Sequence, residues 1–113
     1  MTIIRNTLMF EELKQMAARM FGDLVKAVVD LDRELLAVDA ELHADLEAEL
    51  LEDGSTQRSL WGINLYPDVQ PDQFIEFDSM INMRPSQGNR SRGVEDEAIR
   101  KKIAAVVEKR IAR

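Results

Sequence analysis

The segment from Phe74 to Gly93 constrains this chain most, because a run with a period of two passes directly into a loop dense in arginine. Ile75, Phe77, Ile81 and Met83 fall on one side, with Ser79 as the single polar interruption. Phe74, Glu76, Asp78, Met80, Asn82 and Arg84 fall on the other, as alternate side chains of a strand must. Pro85 lacks a ladder donor, so the strand is expected to stop there. Beyond it, small polar residues surround Arg90 and Arg92.

A strand needs a partner, and Leu60–Tyr66 supplies one. If Tyr66 faces Phe74, then Leu65 meets Ile75, Ile63 meets Phe77 and Trp61 meets Ser79, with Pro67–Gln73 as a connection of hairpin length. A second hairpin turns at Asp32-Arg33. It sets Val29 opposite Leu36, Ala27 opposite Val38 and Val25 opposite Ala40, with Lys26 and Asp39 together on the other face. A slip of one residue would scramble both strands. The same residues also admit a helix, since Leu31, Leu35, Val38, Leu42, Leu46 and Leu50 recur every three or four positions, and Asp-Arg is not a favoured two-residue turn. The hairpin is preferred because one turn sorts both strands. It implies strands at Leu24–Asp30 and Leu35–Glu41, then a helix from Ala44 to Glu52 stopped by Gly54.

Two further helices complete the pattern. Leu13, Met16, Ala17, Met20 and Phe21 form an apolar stripe on a helix expected over Leu8–Phe21, with Thr7 as N-cap and Gly22 as a left-handed C-cap. Ile99, Ile103, Val106, Val107 and Ile111 form another, on a helix expected from an N-cap at Asp96 to Ala112. Met1–Asn6 gives a weak signal for an edge strand. The fold class is therefore α+β: one domain over residues 1–113, an antiparallel sheet of about four strands from two hairpins, and N-terminal, middle and C-terminal helices on one face. Val25, Val29, Leu36, Val38, Trp61, Ile63, Leu65, Ile75, Phe77 and Ile81 are expected to face the helices.

Composition narrows the function classes. Hydrophobic residues make up 45% and charged residues 32% of 113, as in soluble globular proteins. Without cysteine there is no disulfide, no thiolate nucleophile and no Cys-based zinc site. No run of 18 apolar residues occurs, and Met-Thr-Ile-Ile-Arg-Asn lacks the apolar stretch of a signal peptide, so the expected location is cytoplasmic. The net charge of −6 is unevenly spread. Residues 84–113 carry nine Lys/Arg against four acids, +5, and residues 1–83 carry six against 17, −11. Such a split fits an anionic partner for the basic end, or a basic end folded against the acidic part.

Gly88-Asn-Arg-Ser-Arg-Gly93 has the spacing of a phosphate loop, but Val94 and Glu95 stand where Lys and Ser/Thr are required, which rejects a Walker site. What survives is an anion site built from backbone N–H groups with Arg84, Ser86, Gln87, Asn89, Arg90 and Arg92. The commoner arrangement is arginines paired with the protein's own acids, such as Glu76 and Asp78. Asp39, Glu41, His43 and Asp45 would align if the strand ran that far, yet no metal motif is present, and neither metal nor cofactor is expected. Glu76 and Asp78, two residues apart on one strand face, could act as an acid–base pair in a cleft that raised one pKa, and His43, the only histidine, is another candidate proton carrier. Ser79 and Ser86 lack a nucleophile elbow. An acidic chain with few aromatics and no RRM signature makes nucleic acid a weaker partner than a small anion or a protein.

Glu41-Leu-His-Ala-Asp45, Leu60-Trp-Gly-Ile-Asn-Leu-Tyr-Pro67, Phe77-Asp-Ser-Met-Ile-Asn82 and Arg84-Pro-Ser-Gln-Gly-Asn-Arg-Ser-Arg92 together resemble a family of small uncharacterised prokaryotic proteins. The resemblance covers essentially the whole chain. It implies a self-contained domain of unknown function and supplies no activity, cofactor or partner. The reading of the residues is a binding or interaction module whose Arg84–Arg92 loop meets an anionic ligand or partner. The alternative is a phosphoesterase or ribonuclease-like enzyme using Glu76, Asp78 and His43, with the arginines holding phosphate. The sequence does not set the oligomeric state.

Overall fold

Every residue from 1 to 113 is described in the structure, a computed structural model. Ten regular elements follow one another: β1 (Thr2–Ile4), β2 (Leu8–Met9), α1 (Phe10–Arg19), β3 (Val25–Asp30), β4 (Leu35–Val38), α2 (His43–Glu52), β5 (Leu60–Leu65), β6 (Ile75–Glu76), α3 (Glu97–Arg110) and β7 (Ile111–Ala112). Five strands form an antiparallel sheet in the order β1-β4-β3-β5-β6, and β2 pairs with β7 in parallel. The α+β class holds, with three helices in the expected places. No helix is long and apolar enough to cross a membrane.

The first hairpin has the expected register, with Val29 opposite Leu36 and Ala27 opposite Val38. Its turn is longer than expected. Asp30 pairs with Leu35, leaving residues 31–34 as the loop. The Asp30 carboxylate accepts the N–H groups of Asp32 at 3.0 Å and Arg33 at 3.1 Å, so a side chain does the work that Asn-Gly does in a tighter turn. Glu34 closes the loop at φ 54°. β4 stops at Val38, because Asp39 takes φ 73°. The pairing of Val25 with Ala40 is therefore not made; Val25 lies opposite Leu65 instead. The weak N-terminal signal is a true edge strand, with Ile3 opposite Ala37.

The long strand expected over residues 74–84 is mostly absent. Leu65 does meet Ile75, and the N–H of Tyr66 bonds the Phe74 carbonyl at 2.9 Å. The ladder then ends at Glu76, and Met80–Asn82 coil into a 3₁₀ turn in which the Ser79 hydroxyl accepts the Ile81 N–H. Asn82 explains how β5 tolerates this. Its side-chain oxygen accepts the N–H of Gly62 at 2.8 Å, and its amide nitrogen donates to the Gly62 carbonyl at 2.9 Å. One side chain thus replaces a strand residue as the partner of a buried peptide group. Residues 79–82 lie so close that a Cβ on Gly62 would sit 2.5 Å from the Ser79 Cβ.

The helices lie on both faces of the sheet, which corrects the one-face expectation. α1 and α3 cover Val25, Ala27, Val29, Leu36, Val38, Trp61, Ile63 and Leu65, while Leu46 and Leu50 of α2 pack on Val28, Leu35, Ala37 and Leu60. The cause lies in β3 and β4, which are apolar at both parities and so need cover on both sides. Ile75 and Phe77 are half-buried on the α1/α3 side, but Ile81 packs with the α2 cluster. α1 begins two residues later than expected. Leu8 and Met9 instead pair with Ile111 and Ala112, and Thr7 does not cap the helix. Gly22 ends it at φ 91°, donating its N–H to the Ala17 carbonyl at 2.7 Å. Asp96 caps α3 through the Ala98 N–H at 2.8 Å, as expected.

Candidate functional site

The arginine loop is held from within. Arg84 and Asn89 exchange backbone hydrogen bonds around a short 3₁₀ turn at Pro85–Gln87. The buried Asn89 side chain donates to the carbonyls of Asn82, Ser91 and Gly93 and accepts the Glu95 N–H at 2.9 Å. Arg84 turns inward, donating to the Gln57 carbonyl at 2.6 Å and to the Leu60 carbonyl, with its guanidinium 4.2 Å from the Trp61 ring centre. Burial lowers its proton affinity, and Glu47 acts in the opposite sense. Arg92 bonds Asp78 at 2.7 Å, and Gln87 reaches the Arg58 carbonyl at 3.2 Å.

The backbone N–H groups of this loop already hold an anion. The Glu95 carboxylate accepts from Arg90 at 2.6 Å and Ser91 at 2.9 Å, and those bonds, the Arg90 one foremost, hold it below the ordinary carboxylate range. Of the six loop residues singled out in the sequence, Arg84 and Asn89 are structural in geometry, Gln87 and Arg92 have protein partners, and Ser86 and Arg90 face outward. No cavity is lined by two of the three arginines. Glu76 takes bonds from Asn64 and Tyr66 rather than from an arginine.

A different arrangement forms where α2 begins. A cleft of about 210 Å³ is lined by Lys26, Leu42, His43, Asn64, Asp78, Met80 and Arg92, among others. Register explains two of these: Lys26 and Asn64 are opposite each other on β3 and β5. His43 is the first residue of α2, and its Nε2 lies 2.8 Å from the Ile63 carbonyl. A carbonyl only accepts, so Nε2 carries the hydrogen and the other ring nitrogen is left with a lone pair. Burial pushes the imidazole below its ordinary value; the Ile63 carbonyl opposes that shift. Among neighbouring charges Lys26 acts most strongly in lowering it, Asp78 opposes that and Arg92 adds to it.

The start of α2 is also open. Leu42 occupies the N-cap position without a side chain to accept the first N–H groups, so those of His43 and Ala44 have no capping acceptor. Asp45 stands in the first turn but does not line the cleft. Lys26 makes no ion pair; its nitrogen lies 5.3 Å from the Phe21 ring centre. Arg92 uses only Nε on Asp78, leaving its two terminal nitrogens free. Asn64, 7% exposed, donates to Glu76 at 2.8 Å, while its oxygen is buried without a partner. Leu42 and Met80 stand exposed at the rim.

His43, Asp78 and Arg92, which come from three separate stretches of sequence, therefore share one cleft, and Glu76 joins it through Asn64. Lys26 and Asn64 were missed as site residues. Asn64 did leave a signal, as the polar residue inside an otherwise apolar strand. Asp39 and Glu41 lie in the turn before α2, and no three acidic or histidine side chains are grouped to hold a metal ion. A larger groove, about 650 Å³, runs beside α3 between Arg58, Trp61, Ser86, Gln87, Ile99 and Lys102. Its acids are engaged, Asp32 with Ser59 at 2.5 Å and Glu34 with Lys109 at 2.8 Å.

Neither curated proteins nor solved structures provide a significant match to this chain. The family described as Protein of unknown function (DUF5674) matches residues 2–110, and the chain belongs to that family.

Proposed function

We propose that this protein is a binding module for a small anionic ligand, held in the cleft at the start of α2 between Lys26 and Arg92. One observation carries the reading: an uncapped ten-residue helix start lies beside an unpaired ammonium and two free guanidinium nitrogens. Backbone N–H groups at a helix start and fixed cations are the usual means of holding phosphate or carboxylate. The arginine loop contributes Arg92 to this site, while its Arg90 and Ser91 N–H groups are occupied by Glu95.

The test is a titration of the whole chain with inorganic phosphate, followed by backbone amide shifts. Expected are shifts at Lys26, His43, Ala44 and Arg92, weakened several-fold in Lys26→Ala. Shifts confined to residues 84–91 would move the anion to the loop, and no shift anywhere would end the reading. A second reading is favoured by the placement of His43, Asp78 and Arg92 in one cleft. There the histidine, with one nitrogen free of hydrogen, takes a proton from the water that attacks phosphorus, while the P–O ester bond breaks and the alcohol leaves with a proton from solvent. Release of phosphate from an ester by the native chain, abolished in His43→Ala, would establish that reading over simple binding.

A further inference from the structure

We infer that the ligand of this cleft is a small phosphate ester that also carries a hydroxyl group, and that the hydroxyl donates to the side-chain oxygen of Asn64. The inference rests on the reading above. Asn64 cannot turn its amide over, because its nitrogen faces Glu76 Oε1 at 2.8 Å, an acceptor that would repel the amide oxygen. That orientation leaves the oxygen buried with no partner, in a side chain 7% exposed that lines the cleft. Buried acceptors are rarely left open in folded proteins, so this one points to a donor that is not part of the chain.

Two kinds of donor would serve, an ammonium or a neutral hydroxyl. Lys26 lies directly across the ladder from Asn64, and Arg92 lines the same cleft; both repel an ammonium and neither repels a hydroxyl. The second ring nitrogen of His43, left with a lone pair by the Nε2 bond to Ile63, is a further acceptor in the cleft. The donors opposite are the His43 and Ala44 N–H groups, the Lys26 ammonium and the free nitrogens of Arg92. They outnumber what the two oxygens of a carboxylate take up, and they suit the three oxygens of a phosphate monoester. At about 210 Å³ the cleft is below the usual range for drug-sized ligands, which limits the ester to one of polyol size. The Asn64 oxygen is closed to solvent, so a hydroxyl reaches it only as side chains lining the cleft shift; Met80, one of them, is unbranched and 64% exposed.

The experiment compares the affinities of the native chain for inorganic phosphate, propyl phosphate and glycerol 3-phosphate, by calorimetry and by amide shifts. The two esters share a three-carbon chain and differ in hydroxyls. Expected is binding of all three, with glycerol 3-phosphate about three- to tenfold tighter than propyl phosphate, the worth of one hydrogen bond. Asn64→Ala should remove that preference. If the esters bind equally to the native chain, the hydroxyl assignment is wrong and the anion reading stands. If none of the three binds, both fall. The ester pair decides the matter in the native chain even if Asn64→Ala does not fold.

Discussion

At the scale of single residues, two asparagines organise what a strand was expected to organise. Asn82 pairs with both polar groups of the Gly62 peptide and also donates to the Arg92 carbonyl at 3.0 Å. Asn89 makes three donor bonds and one acceptor bond at the base of the arginine loop. Neither role is visible in sequence: Asn82 occupies the same alternating position as an asparagine on a solvent face, and Asn89 sits in a loop where any polar residue would be expected. Asp96 was legible because an N-cap is a local device, fixed by the residues that immediately follow it. The contrast yields an ordering. Asn82→Ala leaves a buried N–H and a buried carbonyl without partners, at about 1–3 kcal/mol for each. Phe77 is only half-buried, so Phe77→Ala should fall below the roughly 3–5 kcal/mol of a fully buried aromatic. Chemical denaturation should rank Asn82→Ala as the more damaging change. The opposite ranking would restore Phe77 to the centre of a continuous strand.

At the scale of elements, the hairpin of β3 and β4 was readable to its register, because a single turn had to place both strands at once. Which hairpin lay beside which was not readable. The pairing of β3 with β5, six residues long, joins segments some 35 positions apart with nothing local to select it. The arginine loop shows a second limit. Its composition raises the expectation of an anion site, but composition does not say which groups turn inward. Arg84 does so, reaching two carbonyls and an indole, and Arg90 does not. Arg84→Ala should therefore destabilise the fold by about 2–4 kcal/mol, since it strands hydrogen-bonded carbonyls and exposes Trp61. Arg84→Lys should recover only part of that loss, a point charge being a poor substitute for the planar fork. Arg90→Ala should stay within about 0.5 kcal/mol of the parent. Thermal melts of the three variants decide it, and a large loss in Arg90→Ala would overturn the division of roles.

At the scale of the whole molecule, the beginning and end of the domain are tied together. The parallel pair of β2 and β7 sets Leu8 beside Ile111, both buried in the larger core cluster. Next to it, Arg110 donates to the carbonyls of Glu34 and Asn6, and Lys109 pairs with Glu34. Part of the basic end thus docks on the acidic part of the chain, the plainer of the two meanings of its charge split. β1 enters the sheet only at its edge, through three residues opposite β4. Its attachment depends on the β2–β7 clasp just behind it, because three residues of edge pairing form too small a unit to persist alone. Removing the buried side chain in Ile111→Ala should cost about 2–4 kcal/mol. The loss should also be uneven in space. Amide hydrogen exchange at Thr2–Ile4 and Leu8–Met9 should speed up well beyond the global change, while β3 and β5 at the centre of the sheet keep the slowest exchange. If exchange instead rises equally in β1, β3 and β5, the clasp has no local role and the fold opens as one unit. Uniform acceleration would also mean that the cleft at α2 cannot loosen separately from the N-terminal edge. A selective rise would place that edge among the low-stability parts of the molecule and leave the cleft at α2 intact.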